Sequence, residues 1–209
     1  MSSNESLPTV YIVDDDPHAR VLIEKLVQSA DYPTRCFESA ESFVQAAASG
    51  GPRGCLLLDL RMPGMDGMSL HKQLQADGHA LPTILITAHA DVPSAIEAIR
   101  AGVLDFVEKP LDAKHLLKAV RRAMDMDRTA ATEAAEAAEA QRRLDQLSQR
   151  QRQVLDLIVE GLLNKQIAAR LGLSIKTVEK HRAFVMQKMK VDSVAELVRL
   201  TMAPRHHRP

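Results

Sequence analysis

The chain has 209 residues, 45% of them hydrophobic and 26% charged, and its 27 Lys and Arg balance 27 Asp and Glu. That is the composition of a globular protein, and no apolar run approaches the roughly 20 residues of a membrane-spanning helix. The zero net charge hides a split, because residues 141–209 carry 14 basic against 6 acidic side chains, a net of +8, and the first 140 carry −8. A basic end on an acidic body points to a polyanion-binding module joined to a part with another task. The opening Met1-Ser2-Ser3-Asn4-Glu5 has neither the basic nor the apolar region of a secretory signal, so a cytoplasmic protein is expected. Cys36 and Cys55 lack CxxC spacing and sit in or beside strand-like segments, which predicts two reduced, buried thiols.

The first half alternates two kinds of segment. Short apolar runs at 9–13 (TVYIV), 34–37 (TRCF), 55–58 (CLLL), 83–87 (TILIT) and 103–107 (VLDFV) read as strands buried in a parallel sheet. Between them apolar residues return at helical spacing: Ala19, Leu22, Ile23, Leu26, Val27 and Ala30, later Val92, Ala95, Ile96 and Ile99, then Ala113, Leu116, Leu117, Val120 and Met124. Five strands alternating with five helices predict an α/β domain with a doubly wound, five-stranded parallel sheet.

Residues 128–147 break this pattern with an Ala- and Glu-rich run, TAATEAAEAAEAQRRLDQL, in which Glu133, Glu136 and Glu139 repeat. It reads as a solvated helical spacer rather than a dimerising coiled coil, because Ala131 and Ala138 make a thin seam and Asp145 breaks it. Beyond it lie four short helical stretches, 149–160, 165–171, 175–189 and 194–201, and no strand signal. Ser148 with Gln151, and Ser193 with Glu196, have capping-box spacing, and Gly161 and Gly172 sit where helices stop. The expected organisation is 1–127, a 128–147 linker, and an all-α domain over 148–209.

The strand ends carry the chemistry. In LLLDLRMPGMDG an apolar strand delivers Asp59 to its carboxyl end, where open α/β sheets place their sites. VYIVDDD ends likewise in Asp14, Asp15 and Asp16, so with the first and third strands adjacent these carboxylates converge. Clustered carboxylates repel unless a cation compensates, and hard oxygen ligands point to Mg2+, with Mn2+ as the alternative. Thr87 closes the fourth run and Lys109-Pro110 follows the fifth. An ammonium and a divalent ion flanking one carboxylate suit a transferred phosphoryl group, with Asp59 as nucleophile.

Asp14-Asp15, Asp59, Thr87 and Lys109-Pro110, in that order on successive strands, closely resemble the receiver domain of two-component response regulators. The resemblance covers residues 9 to about 125. It implies that a sensor histidine kinase phosphorylates Asp59, that Asp15 and Asp59 bind the metal through side chains and Arg61 through its carbonyl, and that Asp14 binds mostly through water. It further implies that Lys109 pairs with the phosphoryl group across a cis bond to Pro110, and that Thr87 moves towards it while Phe106 follows. Many relatives carry Tyr at position 106, so any switch here works without a phenolic hydroxyl. The role of Asp16 stays open.

In NKQIAARLGLSIKTVEKHRAFVMQKM a short helix, a turn with Gly172 and a longer helix opened by Ser174 have helix-turn-helix spacing. Val178, Val185 and Met189 share an inward face, and Lys176, Lys180, Ala183 and Gln187 an outward one. With the basic excess, this points to DNA. The segment 147–200 resembles the LuxR-type domain of the NarL/FixJ response regulators, and the whole chain is closest in pattern to FixJ-like members. That resemblance places Glu179, Lys180 and Ala183 facing bases, and Lys165, Lys176, Thr177, Arg182 and Lys188 near phosphates, with Asn164 also in the DNA-binding set. Glu179 either accepts from a cytosine amino group or pairs with Arg182. Gln151 stands where many members carry Glu, so an internal salt bridge is expected to be missing.

The expectation is a phosphorylation-controlled transcription factor, not an enzyme beyond slow self-dephosphorylation. It would homodimerise through its fourth helix, fifth strand and fifth helix, bind double-stranded promoter DNA and act on RNA polymerase, with no membrane partner. One rival is a DNA-binding regulator independent of phosphorylation. The other is an aspartyl-phosphate phosphatase of the haloacid-dehalogenase type, which needs a second Asp where this chain has Arg61.

Overall fold

The computed structural model describes residues 7–48, 50–79, 81–88 and 97–202, and the chain divides into two compact units, 1–130 and 131–209. In the first unit the elements run β1 (Thr9–Val13), α1 (Pro17–Gln28), β2 (Thr34–Phe37), α2 (Ala40–Ala47), β3 (Gly54–Asp59), α3 (Gly67–Ala76), β4 (Thr83–Thr87) and β5 (Asp105–Glu108). A long helix, α4 (Ala113–Asp145), begins there. Of the helix expected around Val92–Ile99, residues 97–100 are helical and the earlier part lies outside the described residues.

All four strand pairings are parallel, in the order β2-β1-β3-β4-β5. Side chains alternate across the pleat. Tyr11, Val13, Leu56, Leu58 and Leu85 join one apolar layer with Phe43 and Leu70, while Val10, Ile12, Leu57, Ile84 and Ile86 join the other with Ile23, Val27, Leu116 and Val120. Both faces are therefore covered, which is why β1 and β3 read as unbroken apolar runs.

Glycine meets two close approaches near this sheet. A Cβ on Gly54, whose φ is +121°, would strike the backbone of Thr9, and one on Gly67 would strike the Asp59 carbonyl oxygen. The second brings the start of α3 against the end of β3. Of the two thiols, Cys55 is buried as expected, and burial followed by the nearby Asp127 pushes it up to about 12. Cys36 corrects the expectation: it is exposed on β2, an edge strand with less cover, and partial desolvation followed by Glu24 pushes it up to about 11.

The second unit contains α5 (Gln149–Val159), α6 (Asn164–Leu171), α7 (Ile175–Met189) and α8 (Val194–Met202). Their core gathers Val154, Leu157, Ile158, Ile167, Val178, Val185, Met189 and Leu197. Ser148 and Gln151 form the expected capping box on α5. On α8 the box is displaced: Glu196 N–H donates to Ser193 Oγ, but the Glu196 carboxylate accepts from Asp192 N–H rather than from Ser193. Gly172 closes α6 at φ +64°, the left-handed conformation that costs glycine least. The 128–147 spacer also needs correction. Its backbone is helical to Asp145 and residues 132–138 are exposed, but Ala140 and Leu147 are buried and Leu144 packs on the second core.

Candidate functional site

Pairing of β1 with β3 sets Val13 beside Leu58, so the next residues along, Asp14 and Asp59, emerge side by side. Asp14 is 1% exposed and Asp59 8%, while Asp15 is open to solvent. One oxygen from each lies within 4.8 Å of the others. The ammonium of Lys109, delivered past the end of β5, donates to Asp14 Oδ2 at 2.9 Å and to Asp59 Oδ2 at 3.0 Å. The peptide bond that follows it, to Pro110, is cis.

The other carboxylate oxygens of Asp14 and Asp59 each have a local backbone partner. Asp14 Oδ1 accepts from Asp16 N–H at 2.9 Å, and Asp59 Oδ1 accepts from Arg61 N–H at 3.2 Å. Asp16 itself accepts from His18 N–H and caps α1, ahead of Pro17 in the first turn. The third Asp of the run thus has a structural task that its position in the sequence leaves open. Asp66 plays the same part for α3, accepting from Ser69 N–H at 2.7 Å. Thr87 is buried at the end of β4, and its carbonyl accepts from Lys109 N–H at 2.8 Å. Phe106 lies half-buried on β5 against the first apolar layer.

The electrostatics are unequal across the Lys109 bridge. Burial is the largest influence on Lys109 and opposes its charge, but hydrogen bonds to Asp14 and Asp59 outweigh it and raise its pKa. Asp14 is also raised, because desolvation outweighs the help of Lys109 and the Asp16 amide. One ammonium shared between two carboxylates compensates the deeper of them incompletely. Three carboxylates against one ammonium leave a negative pocket of hard oxygens, and this donor set fits a divalent cation such as Mg2+.

In the second unit the helix-turn-helix pair is α6 and α7. Val178, Val185 and Met189 are buried, and Lys176, Glu179, Lys180, Ala183 and Gln187 are exposed, as the helical period requires. Lys165 is exposed near the start of α6, Asn164 and Arg182 are half-buried, and Thr177 Oγ1 lies 2.8 Å from the capping Ser174 hydroxyl. Phe184, which the sequence reading passes over, is 39% exposed at one flank of the outward face. The Lys180 ammonium sits 5.9 Å from its ring centroid. An apolar residue four positions after a lysine on the polar side of the helix was the available signal. Lys188 has internal partners that the sequence does not announce: its ammonium donates to Gln146 O and to Gln151 Oε1, each at 2.9 Å. Gln151, where a salt bridge is expected to be missing, therefore accepts a charge–dipole bond from Lys188 instead.

The response regulator receiver domain model matches residues 10–121, and the model of bacterial regulatory proteins of the luxR family matches residues 145–201. This chain belongs to the response regulators. Among similar proteins, the transcriptional regulatory protein FixJ of Azorhizobium caulinodans is 42% identical over 200 residues, 95% of this chain and 93% of its own. The response regulator protein TodT of Pseudomonas putida is 40% identical, over 92% of this chain and 84% of its own. Among solved structures, the response regulator StyR matches at a TM-score of 0.83 with 37% identity, covering 94% of this chain and 98% of that one. Full-length FixJ from B. japonicum matches at 0.57 with 38% identity, covering 93% and 96%. The response regulator thus couples a receiver to a LuxR-type DNA-binding domain, as its motifs imply, and its family consists of transcriptional regulators rather than typical enzymes. No helix among the described residues is long and apolar enough to cross a membrane.

Proposed function

We propose that Asp59 is the phosphoacceptor of this response regulator and that its phosphorylation controls DNA binding by α7. The supporting observation is the meeting of Asp14, Asp15, Asp59 and Lys109 at adjoining strand ends. An Asp59 carboxylate oxygen attacks the phosphorus of a phosphohistidine on a sensor kinase. A P–O bond forms as the P–N bond breaks, and the imidazole leaves. Asp14, Asp15, Asp59 and the Arg61 carbonyl would hold Mg2+, which when bound supplies charge stabilisation for the phosphoryl oxygens. Lys109 supplies the second positive charge, and self-dephosphorylation is at most slow.

The added charge is about −1.5 to −2. Thr87 turns towards the new oxygens and Phe106 follows, remodelling the surface formed by the fourth helix expected from the sequence, β5 and the start of α4. Through that surface the cytoplasmic protein homodimerises, with 1–127 as receiver, 128–147 as linker and 148–209 as DNA-binding domain. Dimerisation sets two copies of α7 on successive major grooves, Glu179, Lys180 and Ala183 towards bases, and Asn164, Lys165, Lys176, Thr177 and Arg182 towards the backbone, where RNA polymerase is then engaged.

The test compares promoter binding and mass with and without acetyl phosphate or beryllofluoride, for the parent and Asp59→Asn. Tighter binding and a dimer in the parent alone are expected. Equal affinity and an unchanged monomer in both would defeat the proposal.

A further inference from the structure

The C-terminal end of α7 is tied to the last turn of α4 by two bonds that run in opposite directions. A helix leaves its last carbonyls without partners in its own ladder. In α7 the Lys190 N–H, in left-handed conformation, serves Gln187 O and Met186 O, and Val191 N–H also reaches Met186 O. Met189 O is served from outside, by Arg143 Nη1 of α4 at 3.0 Å. In return Lys188 of α7 donates to Gln146 O, one residue beyond the end of α4, at 2.9 Å. Each helix end is thus capped by a cation of the other, the charge that a helix C-terminus favours. Arg143 is 22% exposed, and Glu139, one turn earlier, accepts from its Nε at 3.0 Å and fixes the guanidinium.

We infer that Arg143 is a positioning residue for DNA recognition: it sets the orientation of α7 from the linker helix, so that the last turn of α4 and α7 move as one body. A slip or rotation of either helix would break both bonds together. The inference rests on the reading of α7 as the DNA-contacting helix. It also gives Lys188 an internal task in place of a phosphate contact.

The experiment uses the full-length chain and, as probe, a duplex selected from a random pool by the beryllofluoride-treated protein, with a scrambled duplex beside it. Arg143→Met is expected to bind the selected duplex about tenfold more weakly, the effect of losing one charged hydrogen bond. Binding to the scrambled duplex and the slope of log affinity against log salt should stay as in the parent. Loss of discrimination at unchanged slope separates positioning from lower stability, which would weaken both duplexes alike. Arg143→Lys, which keeps a cationic donor, should recover discrimination. Lys176→Met should lower the slope by about 0.9, the share of one phosphate. Parent-like discrimination in Arg143→Met, equal weakening of both duplexes, or a slope reduced by a phosphate's share would overturn the inference. If instead Lys176→Met and Lys180→Met leave affinity and slope untouched, the assignment of α7 to the groove fails first.

Discussion

Asp14 and Lys109 lie 2.9 Å apart, yet the two respond differently to being enclosed. Lys109 gains two acceptors and titrates above its ordinary value, so the stability it lends is complete below that value and is lost as pH rises past its folded pKa. Asp14 is raised by burial, so the neutral carboxyl suits the folded state. Its favourable contribution is present below the ordinary Asp value and disappears as pH climbs through the raised one, leaving a penalty at neutral pH in the metal-free protein. Asp14→Asn should therefore raise the metal-free melting temperature at pH 7 by a few degrees, about the effect of 1 kcal/mol. The further rise on adding Mg2+ should shrink, and calorimetry with and without the ion checks both. The thiols give a second residue-scale expectation. Iodoacetamide should label Cys36 alone in the folded chain, slowly at pH 7.5 and faster as pH approaches its value of about 11, with Cys55 reacting only on unfolding.

At the scale of elements, an ion pair adds to the apolar packing between α4 and the start of β3. Arg53 donates from Nε and Nη2 to Asp127, with a shortest distance of 2.8 Å, and the carboxylate is buried. Asp127→Ala leaves a part-buried guanidinium without that acceptor and should destabilise the receiver by about 2 kcal/mol, read from urea unfolding of the full chain. The elements also divide according to how plainly their sequence announces them. β1, β3 and β4 are covered on both faces and stand out as apolar runs, and α7 has an apolar stripe interrupted by lysines. The spacer misleads because its Ala and Glu content describes residues 132–138 well, whereas Ala140, Arg143 and Leu144 acquire their roles from helices that lie later in the chain. The partners of Lys188 are hidden for the same reason: nothing local on a basic helix announces that Gln146 and Gln151 lie beside its ammonium. The site carboxylates were legible because a strand end followed by an acidic residue is a local signal repeated in an expected order. The task of Asp16 was hidden in the cap of the next helix.

For the whole molecule, the opposed charges of the two ends set distinct dependences on ions. DNA affinity should fall steeply with salt, since the basic excess lies in residues 141–209, whereas kinase-dependent labelling should require a divalent cation at the carboxylate cluster. Filter binding across salt concentrations and phosphotransfer with and without EDTA check the two. Asp59→Asn should lose labelling entirely, keep the steep salt dependence and bind DNA no better after acetyl phosphate, which joins the two halves in one measurement.

The strand order puts β4 between Asp59 on β3 and Lys109 beyond β5. Lys109 therefore spans a whole intervening strand to touch its carboxylates, and the backbone just before that span is pinned to Thr87. A group added to Asp59 that draws the ammonium away from Asp14 must load the tip of β4 as well.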